Sequence, residues 1–319
     1  MTDVLNDRPT ATSTAQRLDE ARLAFRDELL ASRLLIGTSV PGIYGRSGDF
    51  ERIVAGLDRL LGESFASLGA QVLRFPPVYP RADFERTDYI ASFPDLSGVV
   101  SSFERGDREH AALLAARAEG KAWDGWLDPT DVVLTPAICH PLYATLEGRL
   151  PEGGGVYDLS GFGFRHEPSN DPMRMQSFRM REFVFVGTPD AAQLYRDTWL
   201  DTSVELLASL GLAVDAVPAN DPFFGRAGRM LVSAQLRENL KVEIIVPLYG
   251  DLHEGTAIAS ANCQRDHLTA AFGILTADGE VAHGACIAFG MERTTLALVR
   301  THGTNLEAWP VDVRALLGL

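Results

Sequence analysis

Three arginines stand where side chains could grip a phosphate: Arg165 in Phe164-Arg165-His166-Glu167, Arg174 in the polar stretch behind it, and Arg293 in Gly290-Met291-Glu292-Arg293-Thr294-Thr295. Arginine suits that work because its planar fork makes two parallel charge-assisted hydrogen bonds to phosphate oxygens and never loses its proton. No GxGxxG follows a predicted strand and no GxxxxGK[ST] is present, so phosphate chemistry must come from positioned side chains. Taken singly, an arginine on a strand or at a helix start is more often a surface ion-pair partner. Three cysteines, Cys139, Cys263 and Cys286, lie far apart and form no CxxC. They read as free thiols or ligands, not as a disulfide framework, which fits a reducing cytoplasm.

The elements that must hold these side chains follow from hydrophobic spacing. Residues 1–12 are polar and predict no structure, whereas Leu18, Leu23, Phe25, Leu29, Leu30 and Leu34 predict a helix ended by Gly37 and Pro41. A second helix runs from Phe50 to Leu68 and stops at Gly69, and residues 70–77 read as a strand entering a proline turn. Helix is expected over 107–122 and strand over 131–135. Strands over 156–160, 161–167 and 181–187 form a hairpin around the polar loop 168–177, a length of loop that usually carries function. Thr188-Pro189-Asp190 opens a helix reaching Gly211. Strands are expected over 230–235, 242–246, 257–261 and 269–275, and the segment 286–290 leads into a helix over 291–300. Helices first, then antiparallel strands closed by one helix, is an α+β order.

The chain has 319 residues, 29 Lys+Arg against 43 Asp+Glu, a formal charge of −14 and 46% hydrophobic residues. That charge disfavours a broad grip on a polyanion, so tRNA is a poor default partner. No uninterrupted apolar run approaches about eighteen residues and the start has neither a signal core nor a transit pattern, so a cytoplasmic protein without a membrane span is expected.

Together these pieces resemble the catalytic core of a class II aminoacyl-tRNA synthetase. Phe164-Arg165-His166-Glu167 is similar to the FRxE of that family's second motif, and Phe289-Gly290-Met291-Glu292-Arg293-Thr294-Thr295-Leu296 to its third. The Phe50–Leu68 helix with Phe75-Pro76-Pro77 is similar to the first motif, which builds the dimer interface. The seryl-tRNA synthetase branch is most alike: Arg174-Met175-Gln176-Ser177-Phe178-Arg179-Met180-Arg181-Glu182 resembles its RVHQF-x-K-x-E, and Ser260-Ala261-Asn262-Cys263-Gln264 its SNC-T-x-x-Q. The resemblance spans about residues 50–305.

It implies an antiparallel sheet flanked by helices, a homodimer, and ATP bent for attack by an amino-acid carboxylate. Arg165 would hold the α-phosphate and that carboxylate, Glu167 the adenine amino group, and Phe178 would stack on adenine. Arg174 and Arg293 would clamp the outer phosphates, while Met175 and the segment Ala257, Ile258, Ala259 and Ser260 would complete the ATP site. Catalysis would rest on positioning and charge neutralisation, with no protein nucleophile. Ala257 replaces the family's metal-binding glutamate, so Mg²⁺ ligation passes to another group, with Glu243 the candidate; Lys241 and Glu243 are also substrate-binding candidates. Cys139, Glu182 and Cys286 fall where an atypical, archaeal-type seryl-tRNA synthetase and its short relatives hold one Zn²⁺. Two thiolates and a carboxylate leave a tetrahedral position open for the α-amine of a small amino acid, glycine or alanine. Without that frame, cysteines acting as small buried hydrophobes are the commoner reading, and His140, His166 and Cys263 read as structural.

The branch that lacks a tRNA-binding arm comprises the amino acid:[carrier protein] ligases, which pass an aminoacyl-adenylate to a carrier protein's phosphopantetheine thiol. Fewer than fifty residues precede the first motif here, too few for that arm. The expected organisation is an N-terminal segment and helix over 1–48 and a catalytic domain over 49–319. An insertion over about 190–229, with Arg196, Arg226 and Arg229, is a candidate surface for a holo carrier protein. Two other readings stay open: a noncatalytic regulator binding ATP or an amino acid, and a truncated tRNA-charging enzyme.

Overall fold

A computed structural model describes residues 13–220 and 240–319. The segment 1–12, the strand expected over 230–235, and Arg226 and Arg229 lie outside the described residues.

Helix α1 spans Thr14–Ala31 and begins with a reciprocal cap, Ser13 Oγ accepting from Gln16 N and Gln16 Oε1 accepting from Ser13 N. It stops before Leu34, which with Leu35 turns into the core at a two-stranded ribbon of Leu35–Gly37 and Tyr44–Arg46. Helix α2, Gly48–Ser64, is capped by Ser47 Oγ on Phe50 N and buries Phe50, Ile53, Leu57 and Leu61 at helical spacing.

Among the described residues the central sheet has seven strands. In chain order they are β1 (Gln71–Leu73), β2 (Gly155–Phe164), β3 (Ser177–Gly187), β4 (Asp215–Pro218), β5 (Lys241–Val246), β6 (Thr256–Arg265) and β7 (His283–Gly290). Their spatial order is β4-β5-β6-β7-β3-β2-β1, antiparallel throughout except where the edge strand β1 runs parallel to β2. The hairpin is longer than its hydrophobic runs suggest. β2 is one continuous strand and β3 starts at Ser177, so Arg165, His166 and Glu167 stand just beyond a strand end.

On one face lie α2, α3 (Pro189–Ser209), α5 (Met291–His302) and α6 (Val311–Leu317). Phe65, just past α2, stacks on Phe183 of β3 at 4.2 Å and meets Phe289 of β7 edge-on at 5.8 Å. α3 crosses the sheet with Tyr195 stacked on Phe185 at 5.4 Å. Arg196 is only 3% exposed, so it cannot furnish a docking surface; the outer face of α3 instead carries Asp190, Asp197, Asp201 and Glu205. The other face of the sheet holds a second core around Cys139, Tyr143, Leu159 and Val184. Above it sits a small sheet of Val78–Pro80, Asp128–Leu134 and Val99–Ser102 with an aromatic cluster of Tyr79, Phe84 and Tyr89.

One expected strand, 269–275, is instead the short helix α4 (His267–Ala271) and a two-residue strand, Ile274–Leu275. Ala270 and Ala271 favour the helix, and Gly273 at φ 62° ends it in a conformation costly to any other residue. Thr269, despite its branched Cβ, sits inside it because its hydroxyl bonds the Ala282 carbonyl. No helix of the described residues is long and apolar enough to cross a membrane.

Candidate active site

Strand alternation decides which side chains meet on the cavity face. Phe183 and Phe185 of β3 enter the helix-side core, so Met180, Glu182 and Val184 point the other way; Ile287 and Phe289 of β7 do the same for Cys286 and Ala288. The register then lays two rows across the sheet. One runs Leu159, Glu182, Ala288, Ser260, Glu243; the other Tyr157, Val184, Cys286, Asn262, Lys241. A cavity of about 470 Å³ stands on these rows.

Glu182 and Cys286 are diagonal neighbours on adjacent strands, a relation that leaves about 7–8 Å between backbones and brings side chains within reach. Cys139, at the start of the short helix His140–Ala144, brings its thiol to the Glu182 carboxylate. All three are buried. Burial pushes the Glu182 pKa up to about 7 against the opposing pull of Cys139 and Arg165, and burial, then Glu182, raises both thiols. Glu182 Oε2 has no hydrogen-bond partner. Asn262 Nδ2 and Gln264 Nε2 donate to Cys286 Sγ at 3.5 and 3.4 Å, which favours the thiolate. Among the described residues no group of three or more His, Cys, Asp or Glu side chains has the closeness of a metal centre. The donor set expected for zinc is therefore gathered in one wall without coordination geometry.

Arg165 and Arg293 line another part of the cavity. Arg293, half-buried at the start of α5, donates Nε to Met173 O at 2.8 Å and Nη1 to Ala257 O at 3.2 Å. Burial, then Arg165 and Arg174, lowers its pKa, while Glu167 and Glu243 pull the other way. Arg165 donates Nε to Pro136 O at 3.1 Å and lies 5.5 Å from the centre of the Phe178 ring. Arg174 is more than half exposed and does not line the cavity, but stands 3.6 Å from Glu167, which does. Met175 is nearly buried, with Arg46 Nη2 3.7 Å from its sulfur, and still borders the cavity. Ala257, Ile258, Ala259 and Ser260 line it too. Lys241 faces the cavity, 3.0 Å from Glu243. Phe178 lies over Gly163, where an added Cβ would come within 3.2 Å of the ring.

Sequence reasoning missed part of the lining. Asp88, Tyr89 and Leu96 come from a segment with no clear periodicity, and His267 from the helix read as a strand. His140 is half-buried with an enclosed, unbonded Nδ1, and desolvation, then Arg165, lowers its pKa to about 4. Glu292 is 1% exposed and bonds Arg179, a pairing that no spacing rule announces.

No protein-family model matches the chain. It is 40% identical over 316 residues to amino acid–[acyl-carrier-protein] ligase 1 of Bradyrhizobium diazoefficiens, an alignment covering 98% of this chain and 94% of that protein. Ligase 2 of the same organism is 41% identical over 292 residues, covering 91% and 87%. The type-2 serine–tRNA ligase of Methanopyrus kandleri is 26% identical over 278 residues, with 80% of this chain and 52% of that enzyme aligned. Among solved structures, the M. kandleri seryl-tRNA synthetase bound to A. aeolicus tRNASec superposes with a TM-score of 0.78 at 20% identity, over 92% of this chain and 59% of that one. The chain thus spans between about two fifths and three fifths of the length of the synthetases it matches but nearly all of the two ligases. It belongs to the amino acid–[acyl-carrier-protein] ligases, and is a ligase built on the class II synthetase catalytic core.

Proposed function

We propose that the protein activates a small amino acid, glycine or alanine, with ATP and passes it from the adenylate to the phosphopantetheine thiol of a holo carrier protein. The observation that carries this reading is a cavity that has Arg165 and Arg293 in one part, with Arg174 3.6 Å from the lining residue Glu167, and Cys139, Glu182 and Cys286 in its other wall. Arg165 would neutralise the α-phosphate and orient the amino-acid carboxylate, Arg293 and Arg174 would hold the outer phosphates, and Glu167 and Phe178 the adenine. Met175 and the 257–260 segment would border the nucleotide. Charge building at the α-phosphorus during carboxylate attack then meets Arg165 and Arg293, held on backbone carbonyls in a partly buried site where they act more strongly than in water.

The residues fit Zn²⁺ as a donor set: two thiols, a carboxylate with an unbonded buried oxygen, and amide donors behind one sulfur. Cys139, Glu182 and Cys286 would hold the ion, which would supply a position for the substrate amine. Lys241 and Glu243 would border the amino acid, with Glu243 the substitute for Ala257 toward Mg²⁺. Residues 1–48 are proposed as a preface to a catalytic domain over 49–319 acting as a homodimer in the cytoplasm. The acidic outer face of α3 would repel an acidic carrier, which moves the proposed contact within the 190–229 segment toward its later part.

Amino-acid-dependent exchange of pyrophosphate into ATP, followed by a mass gain on a holo carrier protein and none on tRNA, is the expected result. No exchange with glycine, alanine or serine would overturn the proposal in favour of a regulator; a mass gain on tRNA would favour a tRNA-charging enzyme. Zinc analysis of the purified protein and of Cys286→Ser tests the metal: equal zinc in both, or none in either, removes it from the account.

A further inference from the structure

The cavity extends past Cys139 to a pair of side chains that the activation chemistry does not use. His267, at the first position of α4, places Nε2 2.9 Å from Asp88 Oδ1, and Ser92 Oγ donates to Asp88 Oδ2 at 2.8 Å. An ionised carboxylate can only accept, so Nε2 carries the proton and Nδ1 is left with its lone pair. The His267 side chain is 57% exposed and both members of the pair line the same cavity as Cys139, Glu182 and Arg165. His140 lies between the two regions, since Arg165 and His267 both act on it. Tyr89, Phe93, Leu96 and Leu268 give this end of the cavity apolar walls.

We infer that His267, oriented by Asp88, is the general base that takes the thiol proton of the incoming pantetheine arm. The inference rests on the proposed acceptor. In the step, the S–H proton passes to His267 Nδ1 as sulfur attacks the adenylate carbonyl. The C–S bond forms, the bond from the carbonyl carbon to the phosphate oxygen breaks, and AMP leaves with that electron pair. The imidazolium, being solvent-exposed, returns its proton to water. Among the described lining residues the other candidates are less suited: burial lowers the basicity of His140, Lys241 and Glu243 pair with one another, and Glu182 stands between two thiols. The groups facing His267 are Asp88 from the segment above, Asp266 beside it and His140 from the short helix, with Arg86 beyond on Phe272. The hydrogen bond that His267 donates to Asp88 raises the His267 pKa and so strengthens it as a base.

The test compares wild type, His267→Gln and Asp88→Asn in two assays: pyrophosphate exchange, and acylation of free pantetheine by preformed enzyme-bound adenylate across pH 6–10. The expected result is that His267→Gln lowers acylation about a hundredfold more than exchange. The rising limb of its pH–rate profile should move to that of a free thiol, near pH 8.5. For Asp88→Asn, the limb should move to lower pH with a reduced rate, as for a weaker base. Equal losses in exchange and acylation would mark the pair as a structural latch, and an unchanged pH profile would remove the base; either overturns the inference. Wild type failing at exchange would instead overturn the proposed function beneath it.

Discussion

Glu292 accepts both the backbone N–H of Arg179, at 2.5 Å, and its side-chain Nε, at 2.8 Å. The same carboxylate lies 3.2 Å from Arg46 Nε, and Arg179 continues to Glu51 of α2. One buried acid thus ties α5, β3, the N-terminal ribbon and α2 together directly beside Arg293. Glu292→Ala leaves Arg46 and Arg179 facing each other without their shared counter-ion. Breaking a buried pair in this way costs about 3–5 kcal/mol. Urea unfolding at neutral pH should show a loss of that order and pyrophosphate exchange should fall with it; a loss below about 1 kcal/mol would mean the network is not acting as a tie.

Gly56 lies mid-helix in α2, where propensity alone favours alanine by about 1 kcal/mol. Here the sign reverses. A Cβ at Gly56 would come within 2.1 Å of the Leu317 carbonyl oxygen, at the end of α6, and backbone cannot swing aside as a long side chain would. Gly56→Ala should destabilise by about 1–3 kcal/mol, the usual cost of overpacking. A midpoint in urea equal to or above wild type would contradict the close approach of α2 and α6.

Elements whose stability comes from their own repeating pattern were legible in the sequence: α2 through Phe50, Ile53, Leu57 and Leu61, and α5 opening after Gly290. The Cys139, Glu182 and Cys286 grouping was legible only through family motifs, because β-sheet register brings together residues more than a hundred positions apart. Asp88 and His267 left no trace, since the segment around Asp88 is short helical turns held by tertiary contacts and α4 resembles a strand in composition. Arg196 misled for the opposite reason: a lone arginine in an amphipathic helix reads as solvent-facing, yet the sheet and α3 bury it.

Arg293 and Arg174 are both placed on the outer phosphates, yet their surroundings separate their expected effects. Arg293 is half-buried, and its guanidinium bonds two backbone carbonyls, Met173 O and Ala257 O, which fixes its orientation before any substrate arrives. Arg174 is more than half exposed and must be ordered when ATP binds. Arg293→Lys keeps the charge but loses the fork, and should lower exchange by more than tenfold, about 1.4 kcal/mol or more, chiefly in kcat. Arg174→Lys should act mainly on the KM for ATP, by a few-fold. Equal kcat losses in the two variants would show that burial does not distinguish them.

The Asp88 and His267 pair joins the segment above the cavity to α4, and its contribution to stability has a defined pH window. The hydrogen bond to Asp88 raises the His267 pKa above its ordinary 6.5, so that stabilisation is complete below about pH 6.5 and fades as pH rises through the folded value. The hydrogen bond from His267 lowers the Asp88 pKa below its ordinary 3.8, so its share is complete above about pH 3.8 and fades as pH falls through the folded value. Both shares are therefore whole between about pH 4 and 6.5. Solvent reaches both side chains, so the pair's coupling should be small, about 0.5 kcal/mol. A double-mutant cycle with Asp88→Asn and His267→Gln, followed by urea unfolding, should give that coupling at pH 5.5 and a smaller one at pH 9. The same coupling at both pH values would mean that the contact is held by packing around Ser92 and Tyr89 and not by charge.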